Sequence, residues 1–386
     1  VVVNGFGWVT VDADVSIRDL ARNAEAVEIA MALAMWWALS TIVCVVTSRV
    51  IFSLRAEVRT ARKLGQYTLE EKLGEGGMGE VYRASHVMMR RPTAIKLLSE
   101  QHAEPTALAR FEREAQLTAQ LSHPNTITVF DYGRTPDGVF YYAMELLDGA
   151  TLNEIVKAFG PMPPERVIHV LRMVVGSLNE AHQLHLVHRD IKPSNIMLCE
   201  RGGESDVAKV LDFGLVMPVR VESASAKPHG TAEISGTPLY MSPESISSPE
   251  AVDARSDLYS LGAVGYFLLT GKHVFNGLSV VEVCGHHLHS SPVPPSERLG
   301  LSVPRDLEEL FLRCLEKHPA RRPQSAAELR AELDRCDDAF DWTPCRAREW
   351  WSVAGKQLLS GKFSATNGIA TTVAQLRPGA ALSSPT

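Results

Sequence analysis

Eight consecutive residues, His188-Arg189-Asp190-Ile191-Lys192-Pro193-Ser194-Asn195, set one carboxylate between two cations, with a carboxamide five residues beyond it. Moving a phosphoryl group onto a hydroxyl needs this inventory. An anion must orient the hydroxyl and accept its proton, a cation must neutralise the moving group, and an oxygen ligand must hold metal. Other chemistry-bearing pieces stand in order around the octapeptide. Upstream are the glycine-rich Gly74-Glu75-Gly76-Gly77-Met78-Gly79, Lys96 in Thr93-Ala94-Ile95-Lys96, and the carboxylates of Phe111-Glu112-Arg113-Glu114-Ala115. Downstream is a second acidic motif, Asp212-Phe213-Gly214.

The elements that must carry these residues are written in the hydrophobic pattern. Tyr67 to Leu73 alternates as a strand does, and Glu80-Val81-Tyr82-Arg83 alternates again. The glycines between them therefore read as a hairpin, whereas the glycines of a dinucleotide fold open a helix. Phe140 to Met144 reads as a strand running into Glu145-Leu146-Leu147-Asp148-Gly149. Apolar residues at 167, 168, 171, 174, 175, 178 and 181 predict a long amphipathic helix from Pro164 to His185, beneath the octapeptide. Ile196-Met197-Leu198 continues from Asn195 as a strand, and Val210-Leu211 leads into Asp212. An apolar helix is predicted from Asp257 to Leu269, and helical pattern through Ala326 to Leu333 closes the domain near residue 338.

Taken together, these motifs resemble those of bacterial, eukaryotic-like serine/threonine protein kinases over residues 67–338, and the Lys-Pro-Ser inside the octapeptide looks like the serine/threonine branch. The resemblance implies an α+β bilobal fold, with a small antiparallel β lobe bearing a helix C (67–147) and a larger, mainly helical lobe (148–338). It implies Mg-ATP, or Mn-ATP, as the phosphoryl source and protein Ser/Thr hydroxyls as acceptors. Asp190 would be the catalytic base, Lys192 the phosphate-side cation, and Asn195 and Asp212 the metal ligands. Lys96 would bind the α- and β-phosphates and pair with Glu114, Glu112 being the neighbouring alternative on another helix face. The backbone of Gly74, Glu75, Gly76, Gly77, Met78 and Gly79 would close over the phosphates, which side chains would obstruct. Leu73 and Val81 would roof the adenine, Met197 would floor it, and Ala94 would line its pocket. Met144 would be the gatekeeper, and the backbones of Glu145 and Leu147 would bond the adenine edge.

By the same resemblance, Leu215 to Glu244 is an activation segment ending Ser-Pro-Glu where Ala-Pro-Glu is usual. Arg189 beside Asp190 implies activation by a phosphate in that segment. Thr231 is the first candidate acceptor, with Ser235, Ser223 and Ser225 as alternatives, and Thr237 would bond Asp190 and Lys192. Asp257 would accept bonds from catalytic-loop amides, and Glu244 and Arg322 would form an ion pair stapling the lobe. The alternative reading is a kinase-shaped scaffold, a pseudokinase. Loss of Lys96, Asp190 or Asp212 would mark one, and all three are present.

Composition narrows the rest. A formal charge of −6 lacks the basic excess of a nucleic-acid binder. Six cysteines at 44, 199, 284, 314, 336 and 345 form no C-x-x-C and no zinc spacing, which suits a reducing compartment. His286, His287 and His289 lack accompanying metal-ligand spacing and read as a polar helix end or loop.

Residues 1–28 are mixed and mildly acidic, and 29–48 carry no charge. Twenty residues at about 1.5 Å rise match a hydrocarbon core of about 30 Å. Arg49, Arg55, Arg59, Arg62 and Lys63 follow, which predicts a transmembrane helix with the kinase domain on the cytoplasmic side of the inner membrane and 1–28 outside. A buried helix and a signal peptide are the alternatives. In the juxtamembrane segment 49–66, Ile51, Leu54, Val58 and Ala61 recur at helical spacing, for a helix at the lipid headgroups or one pairing in a homodimer. In the tail 339–386, Trp342, Trp350 and Trp351 would dock on the kinase domain, touch the membrane or bind a partner, and the last 25 residues or so read as disordered.

Overall fold

The structure is a computed structural model that describes residues 31–33, 35–44, 63–76, 79–98, 116, 118–134, 139–213, 238–355 and 357–358. The chain divides into two units, Val1–Leu69 and Glu70–Thr386. In the first, residues 31–33 and 35–44 are helical with exposed side chains, Trp36 and Trp37 among them. Among the described residues, no helix is long and apolar enough to cross a membrane; the remainder of the 29–48 run lies outside them. Strand β1 (Lys63–Leu64) pairs antiparallel with the head of β2, which runs Tyr67–Gly76 and continues into the second unit.

The second unit begins with a small lobe. Strands β3 (Gly79–His86), β4 (Pro92–Leu98), β5 (Val129–Arg134) and β6 (Phe140–Glu145) join β2 in one sheet, in which β4 pairs antiparallel with both β3 and β6, and β6 with β5. The register sets Val81 opposite Lys96, Ala94 opposite Met144, and Lys96 opposite Tyr142. Directly opposed residues project to the same face of a sheet, so Lys96 and Tyr142 share one.

The chain then enters the large lobe through β7 (Gly149–Thr151), which pairs antiparallel with β8 (Ile196–Arg201), itself paired with β9 (Glu204–Val210). A side chain at Gly149 would come within 2.2 Å of the Leu198 carbonyl oxygen, so the close approach of these strands requires glycine. Helix α1 (Leu152–Phe159) starts on a capping box, in which the Thr151 hydroxyl accepts from the Glu154 amide and the Glu154 carboxylate accepts from the Thr151 amide. Helix α2 (Pro164–Gln183) buries the stripe expected of it, from Val167 to Ala181.

Among the described residues the lobe continues through helices α3 (Pro243–Ser247), α4 (Ala254–Thr270), α5 (Val280–His289), α6 (Pro295–Leu299), α7 (Arg305–Cys314) and α8 (Ala326–Leu333). Helix α4 is buried from Ser256 to Thr270, as an element apolar on every face must be, and stops on Gly271 in the left-handed conformation at φ 68°. It stands in a single core shared with α2, α7 and α8. The predicted histidine cluster closes α5, with His287 fully buried against Tyr259 and Phe275.

Beyond residue 338, the described residues 339–355 pack on the large lobe. Helix α9 (Pro344–Trp350), the turn Trp351–Gly355 and Trp342 just ahead of them bring three indoles to Arg166 of α2 and Asp206 of β9. Of the three destinations open to these tryptophans from sequence, docking on the kinase domain is the one observed. Trp342 and Trp351 donate their indole N–H groups to the two oxygens of buried Asp206, the first at 2.9 Å and the second at 2.5 Å. Those oxygens also take both arms of buried Arg166 at 2.8 Å, and the guanidinium lies over the Trp350 ring at 3.8 Å.

Candidate active site

The catalytic octapeptide is held in shape before any side chain acts. Asp257, in the first turn of α4 and 1% exposed, accepts the His188 amide through Oδ2 and the Arg189 amide through Oδ1, each at 2.8 Å. Its Oδ2 also meets His182 Nε2 at 2.8 Å. Arg189 adopts φ 65°, a conformation an L side chain disfavours, and the two bonds to Asp257 hold it there. Asn195 N–H bonds the Lys192 carbonyl and Leu211 N–H bonds the Asn195 carbonyl, so the octapeptide and the segment before Asp212 are laced together. His188 Nε2 bonds the Leu211 carbonyl at 2.8 Å, and its ring packs on Phe213 at 4.6 Å.

Asp190 is 7% exposed. Its Oδ2 receives Lys192 Nζ at 2.7 Å and Asn195 Nδ2 at 2.8 Å, and Asn195 Nδ2 also bonds the Asp190 carbonyl at 2.9 Å. Both partners use one oxygen, which leaves Oδ1 without a partner among the described residues. Asn195 makes both of these bonds through its amide nitrogen, and its side-chain carbonyl oxygen takes no part in them.

Asp212 is the second centre. Lys96 Nζ reaches its Oδ2 at 2.6 Å from β4, and Tyr142 donates its phenol to Oδ1 from the neighbouring strand β6. Burial pushes the Asp212 carboxyl up, but the Lys96 charge and the bonds from Lys96 and Tyr142 outweigh it and hold the group below the usual carboxylate range. The same burial and the same carboxylate push the Tyr142 phenol well above its ordinary value, so it stays a donor. Asp212 sits at φ 52°, the second strained backbone position of the site. An ionised carboxylate and a carboxamide oxygen are the hard oxygen donors that Mg2+ or Mn2+ takes, so Asp212 and Asn195 fit the metal that the resemblance implies.

Several residues expected around a nucleotide fall on or beside strands β3, β4, β6 and β8. Ala94 is buried at the floor of β4, Met144 and Leu147 are half-buried before and after the end of β6, and Met197 lies opposite Thr151 in the register of β8. Val81 is half-buried and Leu73 is exposed. Gly74 and Glu75 complete β2, Gly76 ends it, and Gly79 opens β3 at φ 140°. Gly77, Met78, Glu112, Glu114, Gly214, Thr231, Ser235, Ser223, Ser225 and Thr237 lie outside the described residues. Lys96 is therefore seen with Asp212 as its ion-pair partner, and the expected pairing with Glu114 falls beyond what is described.

Three buried residues escaped the sequence reading, Tyr142 and Glu145 near the site and Asp206 beneath the docked tail. Tyr142 read only as a core strand residue, yet its phenol reaches Asp212. Glu145 was assigned through its backbone, yet its buried carboxylate accepts Lys209 Nζ at 2.7 Å, the Thr128 amide at 2.9 Å and the Arg201 guanidinium. Asp206 had no signal at all. Lys209 is 3% exposed and also bonds the Thr126 carbonyl, so the last residue of β6 is clamped to β9 by a desolvated ion pair. Farther off, Arg322 meets Glu244 in a two-armed pair at 2.6 and 2.8 Å, and its remaining donors bond the Arg255, Glu316 and Lys317 carbonyls. This is the ion pair expected from the motifs at residues 242–244 and 319–323.

A family model described as "Protein kinase domain" matches residues 67–332. The serine/threonine-protein kinase PknB of Mycobacterium leprae is 43% identical over 275 residues, covering 70% of this chain and 43% of that protein. The serine/threonine-protein kinase pkn3 of Myxococcus xanthus is 38% identical over 274 residues, covering 70% of this chain and 50% of that one. The chain thus spans about half or less of the length of these curated relatives. Among solved structures, the Mycobacterium tuberculosis PknI kinase domain superposes with a TM-score of 0.55 at 28% identity, over 70% of this chain and 96% of that chain. The family match runs through both lobes and across each site residue named above, and the chain belongs to the protein kinase family.

Proposed function

We propose that the protein transfers the γ-phosphoryl group of Mg-ATP to serine or threonine hydroxyls of proteins. The observation that carries this reading is the meeting of Lys96 and Asp212 on one side and of Asp190, Lys192 and Asn195 on the other, around a backbone laced through Leu211 and Asn195.

Asp190 Oδ1 orients the incoming hydroxyl and takes its proton as the new P–O bond forms. The bond from the γ-phosphorus to its bridging oxygen breaks, and ADP departs with that electron pair. Lys192, held on Oδ2, neutralises charge on the moving group from the Asp190 side. Lys96 exchanges its bond to Asp212 for the α- and β-phosphates. Asp212 and Asn195 hold the metal, which when bound neutralises charge building on the phosphates. Positioning and charge placement provide the rate enhancement, with little covalent work asked of the protein.

Phosphoryl transfer from radiolabelled ATP to a generic basic protein tests the reading, with Asp190→Asn as control. The variant should lose about 10²–10⁴ of the rate, the usual span for a general base. Equal incorporation by both proteins would sink the assignment.

The same reading extends to the N-terminal run and to the activation segment. The uncharged run 29–48 and the basic residues after it support an anchor in the inner membrane with the kinase domain cytoplasmic; recovery of the full chain in the soluble fraction after cell lysis would refute it. The exposed Arg189 beside Asp190 supports activation by phosphorylation of Thr231 or Ser235, and unchanged turnover in Thr231→Ala/Ser235→Ala would remove that step.

A further inference from the structure

We infer that Tyr142 is a positioning residue for Asp212, an outer partner of the metal-binding carboxylate supplied by the sheet of the small lobe; this rests on the reading that Asp212 holds the metal. The register places Tyr142 opposite Lys96, so neighbouring strands aim two side chains at one carboxylate. Lys96 takes Oδ2 and Tyr142 takes Oδ1, from positions 116 and 70 residues away in the chain. The two are not equivalent. Lys96 is the residue that must turn toward phosphates when nucleotide arrives, and Asp212 then loses that bond. The phenol has no phosphate to reach for. It is buried in the strand, and Lys96 Nζ stands 5.8 Å from its ring centre.

Tyr142 therefore remains as the fixed donor that keeps Asp212 in one rotamer while Lys96 exchanges partners. A carboxylate oxygen that accepts one hydrogen bond keeps a second lone pair, so the phenol and a metal can share Oδ1. Asp212 needs such a fixed donor because its backbone is strained at φ 52°. An outer hydrogen bond to a ligating carboxylate acts on metal affinity more than on nucleotide affinity.

The test reads binding rather than turnover. A fluorescent ATP analogue is bound to the full chain and Mg2+ is titrated in, for wild type, Tyr142→Phe, Tyr142→Met and Asp212→Asn. Both Tyr142 variants lack the donor and keep apolar volume, so each should need about tenfold more Mg2+ for half-maximal binding, the scale at which losing an outer partner of a ligand acts. Their affinity for the analogue without metal should match wild type, and melting curves on the same samples show that they fold. A wild-type Mg2+ midpoint in either folded variant, or a lower one, overturns the inference. An Asp212→Asn protein that keeps the full Mg2+ response overturns the metal reading of Asp212 itself, a separate failure.

Discussion

Replacing Asp206 by Asn tests how the tail is bound to the kinase domain. Asp206 is fully buried and lies at φ 59°, a conformation that Asn tolerates, so the substitution removes a charge without adding backbone strain or changing volume. It leaves Arg166, 2% exposed, without its counter-ion, and it leaves two indole N–H groups one carbonyl oxygen where they had two. Removing one member of a buried ion pair costs about 3–5 kcal/mol, because the remaining charge is stranded out of water. For a domain of this size that is a fall of roughly 6–10 °C in melting temperature, at about 2 °C per kcal/mol. Urea unfolding followed by circular dichroism and by tryptophan emission gives the number, and the emission includes that of Trp351, 2% exposed. Adding Arg166→Met removes the stranded cation and should restore at least about 2 kcal/mol of the loss, since a buried pair exchanged for apolar residues is often near neutral. If Asp206→Asn alone lies within about 1 kcal/mol of wild type, or the double variant is no better than the single, the charge argument is wrong and the tail is held by ring packing alone.

Two more outcomes follow from buried charge elsewhere. Glu145→Gln at the end of β6 strands Lys209 of β9 and should weaken binding of a fluorescent ATP analogue about tenfold, equivalent to about 1.4 kcal/mol of lost hinge positioning, with recovery on adding Lys209→Met; unchanged affinity in the single variant would contradict it. His287 is pushed down to about 4 by burial and then by the charge of Lys317, so it is neutral when folded and titrates near 6.5 when unfolded. The unfolded chain binds the extra proton between those values, so stability is complete above about pH 6.5 and declines as pH falls toward 4, by about 1.4 kcal/mol per unit. Between pH 7.5 and 5, wild type should lose about 2 kcal/mol more than His287→Gln in urea titrations, and parallel losses in the two proteins would refute the assignment.

Much of the chemistry was legible in local spacing. His188 to Asn195 forms its loop from contiguous residues, and the bonds of Asn195 to Asp190 and of Lys192 to Asp190 span only a few positions. Strands β2, β3 and β6 and helices α2 and α4 were legible for the same reason, whereas β5 left no reading in the sequence. Period 2, period 3.6 and an unbroken apolar run each imply how much of an element must be buried. Asp257 and the Glu244–Arg322 pair were legible only through the motifs that carry them.

What the residue order could not disclose is which side chains meet across long separations. Tyr142 looks like any apolar strand position until the β4–β6 register puts it beside Lys96, and a one-residue slip would have turned it to the other face. Asp206 lies in a strand with no motif, and its value comes from Arg166, Trp342 and Trp351, 40, 136 and 145 residues away. The docking of the three tryptophans was likewise undecided in sequence, since an indole can be buried against any apolar surface that offers its N–H an acceptor. By itself the sequence determined the reacting groups, because their chemistry is written in residue types at short spacing. Only the tertiary structure decided which buried partners hold those groups still, because desolvated charges are settled by what packs around them.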